Sequence, residues 1–129
     1  MNGLSGRCLC RSVRFSVKGP IIRTGHCHCK SCRRATSSPV TSFFCVAKAD
    51  VAFEGEALRH YASSPGVSRG FCGNCGSPLS YETAERPAEI DLYVASLDNA
   101  TSVSVTQHWY WNERVAWFSC DDDLPKHEN

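Results

Sequence analysis

Long apolar runs are missing from this chain, and so is any excess of charge. No segment approaches the roughly 20 apolar residues that a membrane-spanning helix needs. The opening Met1-Asn2-Gly3-Leu4-Ser5-Gly6-Arg7 lacks the apolar core of a signal peptide. No membrane partner is expected, and the predicted location is cytoplasmic. Fourteen Lys and Arg stand against thirteen Asp and Glu, for a formal net charge of +1. So even a balance gives no electrostatic reason to expect nucleic acid as a partner. Apolar spacing of 3.6 residues never persists for three turns, which excludes long amphipathic helices. Internal repeats, linkers and low-complexity stretches are absent too, and 129 residues suit one domain, taken as 1–129.

What the chain has in abundance is cysteine, nine residues of it. In a reducing compartment, clustered cysteines argue for metal rather than disulfides. The densest cluster is Gly25-His26-Cys27-His28-Cys29-Lys30-Ser31-Cys32. Cys-x-Cys-x-x-Cys offers a tetrahedral ion three thiolates from one bend of backbone, and three is informative. Structural zinc sites close with four protein ligands, whereas catalytic sites keep three and leave one position for water or substrate. Candidates to close the fourth position are His26, His28 and Cys45. Alternation along an extended strand would point His28 away from the cysteines. Cys45, mid-strand, reads as a buried structural thiol.

Two further pairs complete the arithmetic. Cys8-Leu9-Cys10 places two sulfurs on one side of an extended chain. Cys72-Gly73-Asn74-Cys75-Gly76 is a zinc knuckle, with glycine where the backbone turns tightly. Together Cys8, Cys10, Cys72 and Cys75 close one structural site, so two Zn²⁺ per chain are expected. Seven thiolates on two such ions would bring the charge to about −2. The sulfur-rich second site makes zinc a weak Lewis acid for hydrolysis, and no His-Glu-x-x-His is present. A thiol as fourth ligand suits it better, held as thiolate at neutral pH. Zinc-assisted thiol chemistry on a small electrophile follows.

Between the cysteines the pattern is short strands and turns. Val13, Phe15 and Val17 alternate with Arg14, Ser16 and Lys18, which predicts a hairpin over residues 1–20 with Cys8 and Cys10 at its entrance. Further strands are expected at 21–23, 41–46, 51–54, 58–61, 67–71, 79–81, 90–95 and 115–118. One helical turn is expected at 31–35, with Pro39 ending it. His108, Trp109, Tyr110 and Trp111 form an aromatic group within a β-rich stretch from Val103. The fold class is mainly β, with antiparallel sheets and little helix.

Gly6-Arg7-Cys8-Leu9-Cys10, Cys27-His28-Cys29-Lys30-Ser31-Cys32-Arg33-Arg34-Ala35, the run from Ser63 through Cys72 and Cys75 to Leu79, Ser96-Leu97-Asp98 and the His108-Trp109 stretch resemble the glutathione-dependent formaldehyde-activating enzyme family. Centromere protein V belongs to the same family. The resemblance spans roughly residues 3–125. It implies a compact zinc-stapled fold of the β-tent type, with Cys8, Cys10, Cys72 and Cys75 as structural ligands and Cys27, Cys29 and Cys32 holding the active-site zinc. The implied activity is that of a carbon–sulfur lyase joining glutathione to formaldehyde. Where the family commonly has Ser-Gly after Cys-Arg-Arg-Ala, this chain has Thr36-Ser37-Ser38, so a differently shaped loop is expected beside the site. Arg33, Arg34 and Arg69 are candidate partners for the carboxylates of the thiol, and the 108–111 aromatics are a candidate pocket wall. A non-enzymatic binding module with both metals structural, and a stoichiometric metal or formaldehyde buffer, are the alternatives.

Overall fold

Where the sequence alternates, the chain is extended. In the computed structural model, which describes residues 3–129, Phe15 and Val17 of β2 (Arg14–Val17) are buried while Arg14 and Ser16 face solvent. Such two-residue periodicity arises when one face of a strand meets the core. β2 is the centre of a three-stranded antiparallel sheet between β1 (Leu4–Arg7) and β5 (Val51–Glu54). The hairpin expected over 1–20 is therefore present, although Met1 and Asn2 lie outside the described residues. Cys8 and Cys10 sit in its connecting turn rather than at its entrance.

A larger sheet carries the site. Its strands run in the order β10 (His108–Trp109), β3 (Ile21–Cys27), β4 (Thr41–Ala47), β9 (Glu89–Tyr93), β8 (Pro78–Thr83), β7 (Val67–Cys72) and β6 (Leu58–Ser64). Every neighbouring pair is antiparallel except β10 with β3, which is parallel. Phe44, Val46, Leu79, Ile90 and Leu92 of this sheet share one core with Val13, Phe15 and Val17 of the smaller one. The mainly β class is as expected, with one parallel pair added.

The short helix α1 (Lys30–Thr36) follows β3 directly. It ends before Pro39, at Ser37, which takes left-handed backbone angles (φ 53°, ψ 40°). Among the described residues, no helix is long and apolar enough to cross a membrane.

The C-terminal quarter departs from expectation. Val115–Phe118 is a turn closed by Phe118 N–H to the Val115 carbonyl at 3.2 Å, and Trp117 is exposed. A strand needs a free edge, and the edge of β10 is already taken. Pro125 and His127 exchange backbone hydrogen bonds with His108 at 2.8 and 2.9 Å. The apolar composition of 115–118 thus found no place at the β10 edge. Strand β9 also stops at Tyr93, and Val94–Ser96 forms a 3-10 turn.

Candidate metal centres and active site

Four of the nine cysteines meet where the first hairpin touches the β7–β8 turn. The Sγ atoms of Cys8, Cys10, Cys72 and Cys75 all lie within 4.8 Å of one another. Cys8 to Cys10 is 3.7 Å and Cys10 to Cys72 is 3.8 Å. The edges of a zinc–thiolate tetrahedron with 2.3 Å bonds are about 3.8 Å long, so this donor set fits a closed Zn²⁺ site. Backbone geometry prepares it further. Asn74 N–H and Cys75 N–H donate to Cys72 Sγ at 3.3 and 3.4 Å, and Val13 N–H donates to Cys8 Sγ at 3.3 Å. Gly76, at φ 83°, supplies the left-handed turn of the knuckle. Hydrogen bonding to Ser12 and then Asn74 lowers the Cys10 thiol to about 7, and Ser77 lowers Cys75 to about 5. Thiolate is the form a metal takes.

The second cluster forms where β3 gives way to α1. Cys27 is the last residue of β3, Cys29 caps the helix by accepting the Cys32 N–H at 3.4 Å, and Cys32 lies in its first turn. The three Sγ atoms lie within 4.8 Å of one another, with Cys27 and Cys32 3.5 Å apart. Hydrogen bonds from Cys27 and Cys32 push the Cys29 thiol well down, and the same bond to Cys29 pushes buried Cys27 up. One sulfur of the group therefore carries the first negative charge. These distances also fit Zn²⁺.

None of the three fourth-ligand candidates reaches the cluster. His26 Nδ1 is engaged with Ser42 Oγ at 2.7 Å. His28 turns to the opposite side, where its Nε2 meets His108 Nδ1 at 2.8 Å. It is buried rather than at the surface. Cys45 is held between Arg23 Nη1 at 3.3 Å and Glu89 Oε1 at 3.4 Å. Among the described residues, no other histidine, cysteine or carboxylate joins the trio.

The trio opens on a cavity of about 470 Å³, walled by Phe43, Tyr93, Trp109 and Tyr110. Two of the 108–111 aromatics thus face the cavity. Gly25 lets the Trp109 ring lie flat against β3, since a Cβ there would overlap the indole. The cations on the cavity wall are Arg23 and Arg86, not the arginines singled out from the sequence. Arg86 bridges Glu89 at 2.9 Å and Asp91 at 3.1 Å, and Arg23 reaches Glu89 at 3.0 Å. Arg69 stands behind Cys32, stacked on Tyr81 at 4.9 Å and donating to Tyr93 Oη at 3.5 Å. Arg33 has a buried Nε with no partner, and Arg34 lines a neighbouring depression with Arg69. Arg23 and Arg86 are 63 residues apart and only strand register brings them together, so no motif announced them.

Comparison with known proteins follows the same lines. The sequence profile described as glutathione-dependent formaldehyde-activating enzyme matches residues 3–113. A curated Schizosaccharomyces pombe (strain 972 / ATCC 24843) protein, uncharacterized lyase C29B12.13, is 34% identical over 99 residues, covering 74% of this chain and 72% of its own. A crystal structure of a Rhodobacter sphaeroides protein, structural genomics target RhR83, superimposes with a TM-score of 0.65 at 22% identity. That likeness covers 81% of this chain and 98% of the other. At that identity it speaks for the fold alone.

Proposed function

Because the chain belongs to the glutathione-dependent formaldehyde-activating enzyme family, we propose that it is a zinc-dependent carbon–sulfur lyase joining a small thiol of the glutathione type to formaldehyde or a related aldehyde. The observation that carries this reading is the three-sulfur cluster facing a cavity, with no fourth protein donor among the described residues. Cys27, Cys29 and Cys32 would hold the ion, and Cys8, Cys10, Cys72 and Cys75 would hold a second, structural one. Bound on three thiolates, zinc supplies the electrophilic centre that keeps a thiol substrate deprotonated at neutral pH.

The chain's own residues then set position. The thiolate sulfur attacks the carbonyl carbon, the C–S bond forms, and the C=O π pair moves to oxygen. That oxygen takes up one proton, matching the one the thiol lost, so no oxidant or reductant is involved. Phe43, Trp109 and Tyr110 give the aldehyde an apolar wall that limits competing water. Arg23 and Arg86 offer guanidinium N–H groups to the carboxylates of the thiol. They take the place of Arg33, Arg34 and Arg69 in that role.

Adduct formation between glutathione and formaldehyde, followed by NMR exchange against the spontaneous rate, tests this. Zinc-loaded protein should accelerate exchange, and Cys29→Ser should return it to the buffer rate. Exchange no faster than buffer, with both ions still bound, would instead favour a non-enzymatic binding module.

A further inference from the structure

His28 and His108 have no part in the chemistry just described, yet both are 1% exposed and face each other. We propose that His28, His108 and Cys120 form a third metal site, an N₂S donor set for a zinc-like divalent cation, which fastens the C-terminal segment to the turn bearing Cys27 and Cys29.

The tautomer of His108 is set from outside. Its Nε2 lies 3.1 Å from the Asp122 carboxylate, which accepts only, so Nε2 carries the proton and Nδ1 is left with a lone pair. A carboxylate on the far nitrogen is the arrangement that orients a metal-binding histidine and raises its basicity. That lone pair points at His28 Nε2, 2.8 Å away, and the Cys120 sulfur lies within 4.8 Å of a ring nitrogen of each histidine. Trp111 presents its ring edge-on to both imidazoles at 5.0 Å, closing the group on one side.

The fit needs only small movements. Zinc–nitrogen bonds of 2.0–2.1 Å place two tetrahedral nitrogens about 3.3 Å apart, so the rings separate by about half an ångström. A nitrogen–sulfur edge is about 3.5 Å, which draws Cys120 inward. The proton between the rings leaves His28 Nε2 for its Nδ1, and the Cys120 thiol releases its proton to solvent. No electrons change hands, and the fourth position takes water.

Cys120 and Asp122 lie beyond the residues matched to the family, 3–113. The site therefore draws one of its three donors from the tail, outside the matched residues. The same tail supplies Pro125 and His127 to the β10 edge and Asn129 to the cavity wall. An ion at His28, His108 and Cys120 would thus fix one wall of the cavity that the three-cysteine cluster opens on.

Zinc per chain, measured by elemental analysis after loading the full protein with excess Zn²⁺ and removing the unbound ion, tests the assignment. Three equivalents are expected for the native chain, and two for Cys120→Ser and for His108→Gln. Cys120→Ser combined with Cys29→Ser should hold one. Cobalt loading gives a second readout: the part of the thiolate-to-cobalt absorption due to Cys120 should vanish in Cys120→Ser while the cysteine-cluster bands persist. Half-buried Cys120 tolerates serine sterically, so folding, checked by circular dichroism, should be kept. Two equivalents in the native chain, unchanged in Cys120→Ser, would overturn the third site and leave the lyase reading standing. Loss of an ion in Cys120→Ser but not in Cys29→Ser would do the reverse.

Discussion

Cys10 and Cys72 are 62 residues apart in sequence, and their sulfurs stand 3.8 Å apart. That contact, with Cys8 and Cys75 beside it, joins the small sheet to the large one at the β7–β8 turn. Closing so long a loop costs chain entropy, and a metal clip recovers it on folding. Removal of one ligand should be felt by the whole fold. Cys72→Ser is expected to lose one equivalent of zinc and a stabilisation on the order of 10 kcal/mol, comparable to the whole net stability of a domain. The variant should show no cooperative thermal transition by circular dichroism. A transition within a few degrees of the native one would mean that the four sulfurs do not share an ion.

Ser37 ends α1 in the left-handed region, at φ 53° and ψ 40°, and is exposed. A side chain there costs about 1 kcal/mol that glycine avoids, set against the greater freedom of glycine in the unfolded chain. The family resemblance noted in the sequence puts glycine at this position. Ser37→Gly is therefore expected to stabilise the protein by about 0.5–1 kcal/mol, read from denaturant unfolding. The backbone already adopts the turn that glycine prefers, so adduct formation should be unchanged. A loss of stability would show that the Ser37 side chain makes a compensating contact.

These two sites mark the limits of reading the sequence. Soft ligands at short spacing must converge to be useful, so Cys8, Cys10, Cys72 and Cys75 could be grouped, and Cys27, Cys29 and Cys32 likewise. Strands with buried alternation, such as β2 with Phe15 and Val17, were equally plain. The Thr36-Ser37-Ser38 sequence was visible, though not that Ser37 takes a glycine-like backbone. What stayed hidden depended on pairing between distant strands. Arg23 and Arg86 meet only through the register of β3, β4 and β9. The partner of His28 is set by β10 lying parallel to β3, and the strand expected at 115–118 was lost to competition from Pro125 and His127.

Cys45 should be an unreactive thiol. Burial, then the Asp91 charge and a hydrogen bond to Glu89, push it up to about 12. Alkylation needs the thiolate, which at pH 9 is then about a thousandth of this group. Iodoacetamide on the folded, zinc-loaded protein at pH 9 should leave Cys45 unmodified, as read by peptide mass spectrometry, while the same treatment in denaturant labels it. The stability linkage has a definite sign. A thiol raised in the folded state favours folding fully below its ordinary value near 8.5, and that contribution fades as pH rises toward about 12. Native protein should therefore lose stability relative to Cys45→Ala between pH 9 and 12. A difference independent of pH in that window would exclude the raised thiol.

Arg86 joins the stability of the cavity wall to its recognition of substrate. Its fork spans Glu89 and Asp91, and the Asp91 side chain is only 9% exposed. Lysine retains the charge but cannot hold both carboxylates at once. Arg86→Lys should cost about 1–2 kcal/mol, less than a fully buried pair because the guanidinium is about one-third exposed. If the same group receives a substrate carboxylate, KM for glutathione should rise several-fold with kcat nearly unchanged, since the contact is made in ground and transition states alike. KM for a small uncharged thiol should not move. Equal effects on both thiols would assign Arg86 to the scaffold alone, and equal loss of kcat would mean that its ion pairs position the cysteine cluster rather than the substrate.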